Sequence, residues 1–306
     1  MHLREIYGGR RLALYAAAAV LGAIFIAGFW NYHLVDGFGR DVIAAPALGN
    51  TSDLAGAYPD RGMGFGFIFA AIAGLAATFT ACNCVVFAML PGLACSVDSN
   101  RSTKGPWMAL GAFVAGVTIV CGIYGAFIGL LGSGVELLNA RSVRLAQARI
   151  VFTGLGVAML VWGMVELGYL DRVTNCFSER VRAFFGSIQT KAAIIGVFVG
   201  LFAVGRPFPV FREFLSYAAG ANNPLYGASV MMVQGLGQIL VMVLLFVVMV
   251  ALGGRRLMEW SAEAPHKPQL MSGLALLAGG AFFVFYWGLS FAMDIGRWGF
   301  KLGWYG

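Results

Sequence analysis

Seven runs of about 20 or more mostly apolar residues, each bounded by charge, proline or asparagine, constrain this chain more than any other feature. They lie at Leu12 to Trp30, Gly64 to Ala94, Trp107 to Leu131, Ile150 to Leu170, Ala192 to Ala218, Ala228 to Leu252 and Leu270 to Met293. Roughly 20 residues cross the hydrocarbon core as a helix, because in lipid a helix satisfies its own backbone groups. The expected fold class is an all-α polytopic membrane protein with seven transmembrane helices. Composition leads the same way: 59% of residues are hydrophobic and 11% charged, whereas a soluble domain carries about a quarter charged. The 43 glycines suit helices that approach one another closely in a bilayer.

The net charge of +7 does not form the single basic stripe that nucleic acid would require, so no nucleic-acid partner is expected. Lys and Arg sit mainly in short segments between the apolar runs, where they report topology. With the amino terminus inside, the inner segments hold twelve of them, among them Arg10, Arg11, Arg180, Arg255 and Arg256. The outer segments then hold seven: Arg40, Arg61, Arg141, Arg144, Arg149, Arg297 and Lys301. This predicts a cytoplasmic amino terminus and a periplasmic carboxyl terminus in a bacterial inner membrane, with the Arg141, Arg144 and Arg149 group as the exception. The first run reads as a retained helix, since no small-residue cleavage site follows it. The segment from about Asn31 to Gly64, with His33, Asp36, Asp41, Asp53 and Asp60, reads as a solvated outer connector, with a cover over an outer opening or a contact with a partner as the alternative. Ser133 to Arg149 reads as a loop or a short amphipathic surface helix.

Two of the runs are interrupted. The second contains Cys82-Asn83-Cys84 followed by Pro91, with Cys95 shortly after, and the fifth contains Arg206-Pro207-Phe208-Pro209. A proline inside an apolar helix frees a carbonyl and bends the chain, which is tolerated at membrane depth where the break is buried in protein or lines a cavity. An arginine at such a place marks a candidate site, with snorkelling or a backbone carbonyl partner as the structural alternative. Arg212 and Glu213 read as structural, neutralising each other or lying near an interface. Two broken helices in successive three-helix units are the pattern of an inverted repeat, whose interface holds the site. Cys82 and Cys84 are candidate redox thiols, although a lone buried cysteine is more often packing. Two sulfurs are too few for a metal, and His2, His33 and His266 lie in loops or at a terminus, so no metal and no cofactor is expected.

The stretch Gly196-Val-Phe-Val-Gly-Leu-Phe-Ala-Val-Gly-Arg-Pro-Phe-Pro, then Asn223-Pro-Leu-Tyr-Gly and the Gly235-Leu-Gly helix, resembles the cytochrome c biogenesis and thiol-reductant membrane family represented by CcdA and the central domain of DsbD. The resemblance spans roughly Gly64 to Met293. It implies two inverted three-helix repeats, each opening with a helix that bears a cysteine beside prolines. Those two cysteines pass reducing equivalents from cytoplasmic thioredoxin to thiol proteins outside. In the first repeat Cys84, or alternatively Cys82, matches the family cysteine. In the second, Phe208 stands between Pro207 and Pro209 where the cysteine is expected, and a phenylalanine takes no part in disulfide exchange.

The chain accordingly divides into an added amino-terminal helix with its outer loop, residues 1–63, and a six-helix domain, residues 64–306. The expected function is transmembrane thiol or electron transfer, or assembly of periplasmic redox proteins. The alternatives are a redox-inactive accessory subunit of a membrane complex and a transporter of small solutes or metal ions. Expected partners are the lipid bilayer and either thioredoxin-like proteins or other subunits.

Overall fold

A computed structural model describes residues 3–78, 105–171, 176, 178–264, 266–290 and 293–305. Every regular element among them is helical. We label the long helices α1 (Gly9–Gly28), α2 (Tyr58–Ala77), α3 (Gly105–Leu131), α4 (Arg141–Glu166), α5 (Ile188–Val204), α6 (Pro209–Ala219), α7 (Pro224–Glu263) and α8 (His266–Phe283), the last continued by a π-helical turn, Val284–Ser290. Among the described residues six stretches are each long and apolar enough to cross a membrane, and α5 with α6 adds a seventh if that pair counts as one span. The chain is thus an all-α polytopic membrane protein, its elements following the order of the seven apolar runs. The second run is described only as far as Thr78.

Helix α3 packs on α5 and α7, α7 packs on α3 and α2, and α4 packs on α8. Exchanging α2 with α5–α6, α3 with α7 and α4 with α8 maps these pairings onto themselves. That is the symmetry of two three-helix repeats, and because three spans is an odd number the second repeat enters from the opposite side. Helix α1 lies outside this scheme and packs on α8.

Glycine makes these contacts close. A Cβ on Gly125 would lie 2.2 Å from the Gly227 carbonyl oxygen, and one on Gly227 would lie 2.3 Å from that of Gly125. In lipid, apolar side chains gain nothing by leaving the solvent, so association depends on dispersion between closely packed backbones. Aromatic rings fill the remaining volume, with Phe202 and Phe283 at 4.7 Å and Phe152 at 5.6 Å from Phe202, centroid to centroid.

In the connector between α1 and α2 the ionisable residues His33, Asp41, Asp53 and Asp60 are exposed, while Asp36 turns inward to Arg206. The connector folds into short helices, Tyr32–Gly37, Phe38–Ala44, Ala45–Leu48 and Thr51–Leu54, which bury Ala44, Thr51 and Leu54. Ser133 to Arg149 holds a short helix and the start of α4, each with one face buried and another, bearing Leu137 and Val143, exposed. Val135–Asn139 is helical, α4 begins at Arg141, and Val135, Asn139, Arg144 and Ala148 are all buried.

Candidate functional site: an arginine-lined break in the second repeat

The break between α5 and α6 bends the chain by 86°. Pro207 and Pro209 have no N–H to donate, and each disfavours helical geometry in the residue before it. Phe208 accordingly adopts an extended conformation (φ −69°, ψ 129°), and Pro209 opens α6 at a first-turn position where no N–H is needed. With 17 residues α5 spans about 26 Å, slightly less than a hydrocarbon core, and the 11 residues of α6 cannot cross at all. The break is therefore held inside the bundle, and its polar groups require partners within the protein.

Arg206 supplies one set of partners. Its guanidinium is 5% exposed, donates from Nη1 to the carbonyl oxygen of Ala77 at 3.0 Å, and contacts Asp36 Oδ1 from Nη2 at 3.4 Å. Ala77 is the last residue of α2, so this bond ties the break of the second repeat to the point where the cysteine-bearing segment of the first begins. Thr78 extends the tie, its Oγ1 donating to the Gln238 carbonyl of α7 at 2.9 Å. The guanidinium carbon of Arg206 also lies 5.2 Å from the Phe208 ring centroid, within cation–π range.

Arg144 supplies the second set, and it is fully buried. It donates from Nη1 to the Val204 carbonyl, the last of α5, at 3.2 Å, and from Nε and Nη2 to Asn139 Oδ1 at 3.2 and 3.0 Å. The Asn139 amide donates onward to the Arg212 carbonyl at 3.0 Å and to Ser216 Oγ at 2.9 Å. One arginine thus caps the end of α5, while an asparagine fixes that arginine and anchors α6.

These groups surround a cavity of about 480 Å³. The α1–α2 connector from Trp30 to Arg40, the first part of α4, the α5–α6 break and the end of α8 with its π-helical turn all contribute to it. Five arginines, Arg40, Arg141, Arg144, Arg206 and Arg212, line it with a single carboxylate, Asp36. Trp30, Phe152, Phe208, Phe282, Tyr286 and Trp287 form the aromatic wall. Loss of solvation pushes the Asp36 carboxyl above its ordinary value, and the charges of Arg206, His33 and Arg40 pull it back. The opposite end of the bundle is neutralised locally: Lys191 pairs with Glu166 at 2.5 Å, and Trp162 Nε1 donates to the same carboxylate oxygen.

Of the residues singled out from the sequence, Arg206, Pro207, Phe208 and Pro209 line this cavity together. Cys82, Asn83, Cys84, Pro91 and Cys95 lie outside the described residues. Cys121 is buried on α3 against α7, where a Cβ on Gly235 would lie 2.7 Å from its Sγ, and Cys176 is exposed. Phe208 is 1% exposed. Arg212 and Glu213 form no ion pair with each other; Arg212 lines the cavity instead. Arg144, Asn139 and Asp36 were not legible as cavity residues. One signal did exist: the arginines at the start of α4 contradicted the charge bias of the loops, and Arg144 does so because it is an interior group rather than a loop charge.

A multi-span helical protein whose second repeat is broken by prolines at a buried arginine is thereby defined. A family profile described as cytochrome c biogenesis protein transmembrane region matches residues 67–287, well over half of the chain, and the protein belongs to that family. No curated protein and no solved structure matches it significantly.

Proposed function

We propose that this protein works in thiol or electron transfer across the bacterial inner membrane, serving the assembly of periplasmic redox proteins, with its thiol chemistry confined to Cys84 and Cys82 of the first repeat. The observation that carries this reading is the bond from Arg206 to Ala77, which joins the two interrupted segments at one interface, in a chain whose family match extends across both. The exchange is balanced when a thioredoxin-like dithiol on the cytoplasmic side reduces a Cys82–Cys84 disulfide and is itself oxidised to a disulfide, after which one regenerated thiolate attacks an acceptor disulfide outside and the other resolves the mixed disulfide, re-forming Cys82–Cys84. In this reading the amino terminus is cytoplasmic, the carboxyl terminus periplasmic, and the cavity opens to the periplasm. The second repeat contributes no thiol at its break, so the relay has one redox station where the family pattern has two.

A redox-inactive subunit of a larger membrane complex is the second reading, and the burial of Phe208 at the cysteine position favours it. Thiol trapping across a range of ambient potentials separates the two. The first reading expects Cys82 and Cys84 to change state with potential, and maturation of a periplasmic thiol protein to fail in the Cys82→Ser/Cys84→Ser variant. Unchanged trapping together with unchanged maturation would refute it. Constant stoichiometric partners in mild detergent would then support the subunit role.

A further inference from the structure

The cavity at the α5–α6 break carries far more positive charge than its protein surroundings balance. Asp36 contacts Arg206, and Asp41 pairs with Arg40 outside the wall at 2.7 Å. Glu213 acts on Arg40 only through space. Among the described residues no carboxylate lies within 4.0 Å of Arg141, Arg144 or Arg212. Arg144 is bonded to neutral acceptors alone, and Nε of Arg212 is buried with no hydrogen-bond partner. Arg144 is buried and Arg212 half-buried, while Arg141 lines the cavity from an exposed position. Guanidinium groups held, like those of Arg144 and Arg212, inside a membrane-embedded bundle without counter-charge are unfavourable, and natural proteins keep them where a charge is to be met. A guanidinium fork suits the paired oxygens of phosphate and carboxylate, while the aromatic wall suits an apolar or planar body. A volume of about 480 Å³ falls within the range of small-molecule sites.

We propose that this cavity is a binding site for an organic anion, a phosphate or carboxylate group attached to an apolar body, with Arg212 and Arg141 as direct ligands and Arg144 and Arg206 as fixed electrostatic support. The shared chemistry fits either a free solute or the headgroup of an anionic lipid. The site is independent of the thiol reading: it requires no cysteine, and its failure would leave that reading intact.

The test uses the full chain in phosphatidylcholine nanodiscs, titrated with phenyl phosphate and, in parallel, with uncharged benzyl alcohol. Readouts are the thermal midpoint and tryptophan fluorescence, to which Trp30 and Trp287 on the wall contribute. A free-solute site gives saturable stabilisation by phenyl phosphate and none by benzyl alcohol. A lipid site gives stabilisation when phosphatidylglycerol is included, and phenyl phosphate then shifts the midpoint less than it does in phosphatidylcholine alone. In either case Arg212→Gln and Arg141→Gln each weaken binding roughly tenfold or more without lowering the ligand-free midpoint. The proposal is overturned if neither phenyl phosphate nor phosphatidylglycerol has an effect, if benzyl alcohol acts equally well, or if both variants bind as the wild type does.

Discussion

Replacing Asn139 with alanine tests whether the break is held by the arginine network or merely by proline. The substitution removes the acceptor shared by Arg144 Nε and Nη2, at 3.2 and 3.0 Å, and two donations, to the Arg212 carbonyl and Ser216 Oγ. A hydrogen bond to a charged group contributes about 1.5–3 kcal/mol and a neutral one about 0.5–1.5, with the two arginine contacts counted once because they share one oxygen. Polar contacts between membrane helices average nearer 0.6 kcal/mol. The expected destabilisation is therefore about 2–4 kcal/mol, at the upper end because Arg144 remains fully buried and short of acceptors. Reversible unfolding in mixed detergent micelles, followed by circular dichroism, measures it. Asn139→Asp keeps the acceptor and loses the donors, so it should fall between alanine and wild type. A double-mutant cycle with Arg144→Met should show strong coupling, since removing both partners leaves no stranded charge. A loss below about 0.5 kcal/mol in Asn139→Ala, or additive effects in the cycle, would refute the reasoning.

Gly125→Ala should destabilise by about 1–3 kcal/mol, because its Cβ meets the backbone oxygen of Gly227 at 2.2 Å, whereas Gly111→Ala, with nothing within 4 Å, should be neutral or stabilising; micellar unfolding checks both. In Phe208→Cys the new thiol would stand on the arginine-lined wall, so an anionic methanethiosulfonate reagent should label it several-fold faster than a cationic one, with equal rates counting against a positive cavity potential. Asp36 has a native value raised by loss of solvation, so the folded state binds its proton more tightly than the unfolded chain. Its contribution to stability is complete below about pH 4 and is lost as pH rises through the raised native value, an effect tempered by the 38% exposure of the side chain. Melting from about pH 4 upward should therefore show a decline that flattens in Asp36→Asn, the other facing charges, Arg206, His33 and Arg40, being common to both proteins.

The spans and the break between α5 and α6 could be read from the chain alone because each is a local property. A run of apolar residues requires a helix in lipid wherever its neighbours lie, and Pro207 and Pro209 interrupt one whatever packs beside them. The repeat pattern followed, since two interrupted runs in successive groups of three are visible in one dimension. The placing of Phe208 between two prolines was equally plain, because it needs only its chain neighbours. Partners of buried charges are a different matter. Arg144, Arg141 and Asp36 read as loop charges, and nothing local distinguishes an arginine that faces water from one that caps Val204 from 60 positions away. Only the tertiary structure folded the α1–α2 connector and the start of α4 over the break, drawing the cavity from four separate stretches of chain. The physical reason is that apolar periodicity and proline act on their own segment, whereas a guanidinium within the bundle takes whatever carbonyl, amide or anion the packing brings to it.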